Sequence, residues 1–325
     1  MDTRRLGQSD LEISVVGLGG NVFGAPRLDI DASRANILRA RELGINFIDT
    51  ASLYNNGQSE EFIGEALKGI RNDFTVATKF HFFGLGDGES PEARIREQVE
   101  TSLKRLQIDH IDLLQIHFPA ADIAPEVIMG TLSQLIAAGK VRYLGQCNYA
   151  SWRHLQVNQA ASDNGWAPFV SAQNQFSLLR RQVEQELLPF CAAYDVGFLP
   201  YFPLAGGFLS GKYQPGQPPP PGSRGAANSP VIRDKRNQRN EAILADLTTY
   251  AQDQGHTVLE LAFAWLLAHP QVTSVIAGTM NVQQVEQNAA AGQWRLTPQQ
   301  KEEVDQLAAW DGSGESVEPS LESFK

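Results

Sequence analysis

Short β-rich runs alternate with longer helical patterns along nearly all of this 325-residue chain. That rhythm restricts the fold to repeated βα units on a parallel sheet. Eight runs read as strands, at residues 15–18, 46–50, 74–79, 111–117, 141–148, 170–174, 196–201 and 273–277. Between them, residues 32–43, 59–67, 95–106, 127–138, 152–161, 183–193 and 258–267 carry apolar positions at helical spacing. Ser90-Pro91 and Thr297-Pro298-Gln299-Gln300 read as helix starts, each a hydroxyl cap followed by proline. Gly44, Gly69, Gly139 and Gly165 stand where a left-handed helix end wants glycine.

Three segments depart from the alternation. Arg5-Leu6-Gly7 followed by Leu11-Glu12-Ile13-Ser14 has the turn and period of a β-hairpin placed to close the bottom of a barrel. Residues 213–239 hold Pro218 to Pro221 together with Arg224, Arg233, Arg236 and Arg239, and read as a long loop after strand seven. Residues 310–325 form a polar tail. No linker divides the chain, and an α/β barrel reaches this size as one unit, so residues 1–325 are expected to form a single domain.

Charge and cysteine content remove whole classes of partner. A net charge of −10 and a pI near 5.1 leave no basic footprint, so no nucleic-acid partner is expected. Two cysteines, Cys147 and Cys191, build no disulfide framework and fit a reducing compartment. The first ten residues lack the apolar run of a signal peptide, and the most apolar helix candidate, 259–269, contains Glu260 and is too short to span a bilayer. The expectation is a cytoplasmic protein without a membrane partner.

Asp49, Lys79 and His117 each end a predicted strand, and Tyr54 follows Asp49 by five residues. Strand ends of a parallel barrel converge on the face that carries the chemistry. Taken singly, each has an ordinary reading: aspartate caps loops, lysine and tyrosine pack or face water, and histidine is a satisfied polar residue. Their coincidence at strand ends favours one shared site. A phenol with an ordinary pKa near 10 is a poor acid at neutral pH. A neighbouring ammonium favours its ionised form, and a carboxylate keeps a buried ammonium charged. A neutral imidazole beside them would donate a hydrogen bond to a substrate oxygen.

The segments Arg5-Leu6-Gly7, Gly17-Leu18-Gly19, Asn46 to Tyr54, Thr78-Lys79-Phe80, Gln115-Ile116-His117, Gly145 to Tyr149 and Pro203 to Tyr213 resemble, in order and spacing, the aldo-keto reductase superfamily. The resemblance runs from about residue 4 to residue 309. It implies an α/β fold, a (β/α)8 TIM barrel, that binds NADP(H), with NAD(H) possible, and interconverts carbonyls and alcohols by hydride transfer. Tyr54 matches the family's general acid and base, Lys79 its amine neighbour, Asp49 the carboxylate paired with that amine, and His117 the imidazole facing the carbonyl.

By the same resemblance, Asn148 and Gln173 match residues that bind the nicotinamide carboxamide, and Tyr201 the ring that stacks on it. Phe202, Pro203, Leu204, Ala205, Gly206 and Gly207 match a pyrophosphate cradle, to which Lys212 and Arg224 add charge. Phe202 replaces a serine common before this proline. Gly278, Thr279, Met280, Asn281, Gln284, Gln287 and Asn288 match the adenosine-phosphate end. No cation occurs in residues 278–288 where many relatives carry one, which implies weak discrimination between NADP(H) and NAD(H). Asn21, Phe23, Phe80, His81, Phe82 and Phe118 match the rim of a pocket for a small carbonyl or alcohol substrate. An alternative stays open: a cofactor-binding regulatory or redox-sensing protein on the same scaffold, since some relatives serve as channel subunits.

Other motifs lead nowhere. Gly206 to Lys212 spells G-x-x-x-x-G-K, but Tyr213 stands where a P-loop needs serine or threonine. Gly17 and Gly19 are followed by Val22 rather than a third glycine, so no Rossmann fingerprint is present. The six histidines show no metal-ligand spacing, and no metal is expected.

Overall fold

The computed structural model describes residues 1–86, 88–214, 216–310 and 312. All but Trp310 and Gly312 of the predicted tail lie outside the described residues. An antiparallel hairpin of β1 (Thr3–Arg5) and β2 (Glu12–Ser14) precedes eight parallel strands. These are β3 (Val16–Gly19), β4 (Phe47–Asp49), β5 (Thr75–Phe80), β6 (Ile111–Ile116), β7 (Val141–Cys147), β8 (Phe169–Gln173), β9 (Gly197–Phe198) and β10 (Val275–Gly278). They pair in the order β10-β3-β4-β5-β6-β7-β8-β9. Backbone bonds from Phe198 N to Gln271 O (2.9 Å), Thr273 N to Phe198 O (2.9 Å) and Ile276 N to Pro200 O (3.1 Å) join the two ends. The sheet is therefore the (β/α)8 barrel that the alternation predicts. Strand β9 is shorter than the expected 196–201: the chain meets its closing partner irregularly, and Pro200 has no N–H to continue a ladder.

Eleven α-helical segments lie among the described residues: α1 (Ile30–Glu42), α2 (Gln58–Ala66), α3 (Pro91–Leu106), α4 (Pro125–Ala137), α5 (Ser151–Asp163), α6 (Leu187–Ala193), α7 (Pro230–Arg233), α8 (Gln238–Asp253), α9 (Val258–Leu267), α10 (Val282–Ala291) and α11 (Pro298–Leu307). The expected caps form. Ser90 accepts from Ala93 N at the start of α3, and Thr297 with Gln300 makes a full capping box on α11. The predicted helix 183–193 instead splits into a 3-10 turn, Gln182–Glu184, and α6. Pro189 lacks the N–H that a helix continuing from 185 would need. Helices α8 and α10 were not visible as periodic patterns; Asn237 and Asn281 cap them by accepting from Asn240 N and Gln284 N.

The barrel interior has two layers. Leu6, Leu11 and Ile13 of the hairpin pack with Phe47, Ala77, Leu113, Leu199 and Ile276 into one buried apolar cluster, so the hairpin plugs the bottom. Gly7 permits this: at φ +50°, an added Cβ would lie 2.3 Å from Val170 O and 2.7 Å from Gly197 N. Side chains two residues on share a face. Asp49, Lys79 and Gln115 therefore follow Phe47, Ala77 and Leu113 into the same interior, one layer higher. Ile48, Val76 and Leu114 alternate outward into the clusters beneath the helices. No described helix is long and apolar enough to cross a membrane.

Candidate active site

The upper layer is an ionic floor. Lys79, fully buried, donates from Nζ to Asp49 Oδ2 at 2.6 Å and to Thr50 O at 2.9 Å. Asp49 Oδ1 accepts from Gln115 Nε2 at 3.1 Å and Gln173 Nε2 at 2.9 Å. Lys79 Nζ also lies 5.1 Å from the centre of the Tyr54 ring. The Tyr54 ring meets the His117 ring edge to face, with centroids 5.6 Å apart. The four residues singled out from the sequence thus form one cluster.

Tyr54 reaches it through an unusual turn. Asn55, Asn56 and Gly57 take positive φ values of 48°, 56° and 89°, conformations that Asn and Gly tolerate best. Asn55 Nδ2 ties this turn to Phe23 O at 2.5 Å. Beneath it, Arg105 Nη1 donates to Ser52 O at 3.1 Å and pairs with buried Glu60 at 3.3 Å. Glu60 Oε1 accepts from Thr78 Oγ1 at 2.6 Å. The α2 and α3 helices thereby fix the loop carrying Tyr54 to the strand carrying Lys79.

Burial and charge set the protonation states. Burial pulls the Lys79 ammonium down, but Asp49, with Tyr54 and Cys147, outweighs it, and the net shift is upward. Lys79 acts on Tyr54 in the expected direction, favouring the ionised phenol, but burial outweighs it, and the phenol is pushed up to about 12. Tyr54 therefore rests as a phenol with a proton to donate. His117 is held well below its ordinary value by burial, then by Lys79 and His81, and is neutral. Its Nδ1 is buried and makes no hydrogen bond among the described residues. Phe118 stacks on the ring at 4.3 Å, and Phe83 continues the stack at 4.5 Å.

Of the residues matched to a cofactor, several converge on this floor. Gln173 is bound to Asp49, and among the described residues its Oε1 meets only the Cys147 thiol, at 3.8 Å. Asn148, at φ +66°, donates to His117 O at 3.1 Å and accepts from the Tyr201 hydroxyl at 2.8 Å. After β9, Phe202, Ala205, Gly206 and Gly207 all have positive φ, giving a loop of inturned backbone with Pro203 and Leu204 between. Arg224 closes on it by donating to Gly206 O at 2.8 Å. Lys212 is exposed and lies over the Tyr213 ring.

On the far side, Gly278 ends β10 and leads into the cap of α10. Gln284 Oε1 accepts from Met280 N at 2.8 Å, and Asn36 Nδ2 binds Thr279 O at 3.1 Å. Asn288 is buried, whereas Met280 and Gln287 face solvent. Arg39 reaches α10 but is paired with Glu286 at 2.8 Å and Glu42 at 2.7 Å.

The pocket rim divides. Phe23 and Phe80 are fully buried and pack in the apolar clusters, so the structure does not bring their side chains to the opening. Asn21, His81 and Phe82 are half-buried, and Phe118 is 6% exposed. Sequence reading passed over Gln115, Cys147 as a neighbour of the floor, and the Glu60–Arg105 pair. A buried glutamine two residues before His117, at the alternation that carries Lys79 inward, was the available signal. No cluster of metal-ligating side chains occurs among the described residues.

The chain is similar in sequence to known proteins. A family profile described as "Aldo/keto reductase family" matches residues 15–309. A versiconal hemiacetal acetate reductase of Aspergillus parasiticus is 30% identical, over 92% of this chain and 95% of its own. A probable voltage-gated potassium channel subunit beta of Oryza sativa subsp. japonica is 31% identical, over 90% and 91%. An aldo-keto reductase of Alternaria alternata is 31% identical, over 87% and 85%.

Proposed function

The chain belongs to the aldo/keto reductase family, and we propose that it reduces aldehydes or ketones, and oxidises the corresponding alcohols, with NADP(H) or NAD(H) as partner. The observation that carries this reading is the buried Lys79–Asp49 pair directly beneath Tyr54, with neutral His117 set edge-on to the same ring.

The residues present suit a nicotinamide. Among the described residues Gln173 Oε1 has only a thiol for company, and an amide N–H would serve it better. Tyr201, held by its hydroxyl to Asn148, offers a fixed ring face for stacking. The inturned backbone at Ala205–Gly207 suits a pyrophosphate, with Lys212 and Arg224 supplying charge. Thr279, Asn281 and Gln284 at the capped start of α10, with Gln287 and Asn288 one turn further on, offer neutral polar groups, and Arg39 is already paired there. Discrimination between the two nucleotides is accordingly weak. When bound, the nucleotide supplies or accepts the hydride.

The protein handles the proton and the oxygen. His117, neutral, donates a hydrogen bond to the substrate oxygen and fixes it near the Tyr54 hydroxyl. Tyr54 transfers its proton to that oxygen as negative charge develops. Lys79, kept cationic by Asp49, stabilises the phenolate left behind, and so contributes more in the transition state than in the resting enzyme. In alcohol oxidation the same groups run in reverse. Phe118, stacked on the ring, covers one face of His117.

The test is turnover of a generic carbonyl such as a nitrobenzaldehyde, preceded by fluorescence titration with NADPH and NADH. Saturable binding with turnover abolished in Tyr54→Phe supports the reading. Binding without turnover by the unaltered protein would favour the second reading, a nucleotide-sensing subunit, which the likeness to channel beta subunits keeps open.

A further inference from the structure

We propose that Gln115 is a positioning residue for the reaction: by holding Asp49, it fixes the charge beneath Tyr54. The inference rests on the functional reading above and adds to it a residue outside the acid, amine, phenol and imidazole set.

Gln115 is fully buried on β6, directly opposite Lys79 in the β5–β6 register. Its Nε2 donates to Asp49 Oδ1 at 3.1 Å, while its Oε1 lies 3.4 Å from Gln173 Nε2. The neighbouring strand makes room for it. Gly145 faces Gln115 across β6–β7, and a Cβ there would stand 3.2 Å from Gln115 Cγ and 2.2 Å from Ser171 Oγ. A leucine or methionine would fill the same interior without a polar atom, as Leu113 does one layer below. An amide at this depth is costly unless it is satisfied, and here it is satisfied by the carboxylate.

The two donors on Asp49 Oδ1 are unequal. Gln173 ends its strand and its Oε1 meets the Cys147 thiol at 3.8 Å, so under the proposed function its amide serves both the floor and the nucleotide. Gln115 sits lower, with no such second duty. It keeps Oδ1 occupied whatever Gln173 does, and so keeps Oδ2 aimed at Lys79. The charged and titratable groups facing Asp49 are Lys79 from β5, Tyr54 from the loop after β4 and Cys147 from β7; His117 faces Lys79 from the end of β6. The N–H end of the Gln115 amide adds positive potential to this set. Removing it leaves the Asp49 charge less compensated and the Tyr54 phenolate harder to form.

Two variants test the idea. Gln115→Met keeps length and removes the donor. Its alkaline limb for alcohol oxidation should move up by about half a unit to one unit, and kcat should fall roughly 3- to 10-fold. NADPH affinity should stay within about twofold of the unaltered protein, because the amide acts on charge rather than on the nucleotide. Gln115→Glu keeps shape and adds a proton that titrates. The introduced carboxyl donates to Asp49 only while protonated, so both its rate and its urea midpoint should approach the unaltered values at the acid end and fall as pH rises. A purely structural glutamine would lower the stability of Gln115→Met without moving its pH–rate profile. An unshifted profile in Gln115→Met, or a urea midpoint for Gln115→Glu that tracks the unaltered protein across pH, overturns the inference. The urea measurement tests the Gln115–Asp49 contact without turnover, and the pH profile tests its role in the reaction. Inactivity of the unaltered protein would count against the functional reading alone.

Discussion

Replacing Asp49 by asparagine should unmask the cost of the buried ammonium. Lys79 is fully buried, Asp49 nearly so, and their charged atoms are 2.6 Å apart. Removing one partner of such a pair typically costs about 3 to 5 kcal/mol, because the other charge is left uncompensated. A second bound comes from deprotonation. An unpaired Lys79 escapes the penalty by losing its proton, which from an ordinary value of 10.5 costs about 5 kcal/mol at pH 7. The two limits agree, so Asp49→Asn should lose about 3 to 5 kcal/mol in urea unfolding. The pH dependence carries the sign. In the unaltered protein the folded-state pKa of Lys79 is raised, so its contribution is fully present below 10.5 and is lost only as pH climbs through the higher folded value. In the variant the folded-state value falls below 10.5, the unfolded chain binds more protons, and stability should rise from pH 7 to pH 10. The double variant Asp49→Asn, Lys79→Met should regain most of the loss while remaining inactive, since a buried pair replaced by apolar groups is often near neutral. A loss under about 1 kcal/mol with no pH slope would refute the account of the floor, because it would mean that water reaches Lys79.

Tyr54→Phe should cut kcat by about two to four orders of magnitude while leaving nucleotide binding intact; residual activity within tenfold would exclude the phenol as the proton donor. His117 is held well below 6.5, so the rate profile should show no limb near 6.5 that His117→Gln abolishes. The same depressed value, with His154 lowered to about 4, makes stability full above 6.5 and progressively lost as pH falls below it, which acid unfolding monitored by circular dichroism would reveal. Gly7→Ala should destabilise by roughly 3 kcal/mol or more, since its Cβ would press on Val170 O and Gly197 N at positive φ; an unchanged urea midpoint would show that the hairpin does not seat as described. With Arg39 paired to Glu286 and no cation in 278–288, NADPH should be preferred over NADH only modestly, and a preference of several thousandfold would contradict that.

The predicted strands and most helices were legible because period two and period 3.6 are local properties, and Ser90, Thr297 and Pro298 mark their own boundaries. Helices α8 and α10 were not, because their apolar positions make sense only once α9 and the barrel stand behind them. Phe23 and Phe80 illustrate a similar gap: a residue beside a strand end is visible in sequence, but which way its ring turns depends on what packs around it.

Sequence alone determined the alternation, the eight strands, and which polar residues stand at strand ends, since spacing along a chain fixes which face each side chain takes. Only the tertiary structure decided what those residues do to one another. Residues 49, 79, 115 and 173 become a single ionic floor because strands β4 to β8 pair side by side and curl, bringing side chains from four of them into one interior. Whether Tyr54 is made more or less acidic was a contest between an ammonium and burial. Its outcome depends on distances and excluded water, which a sequence does not contain.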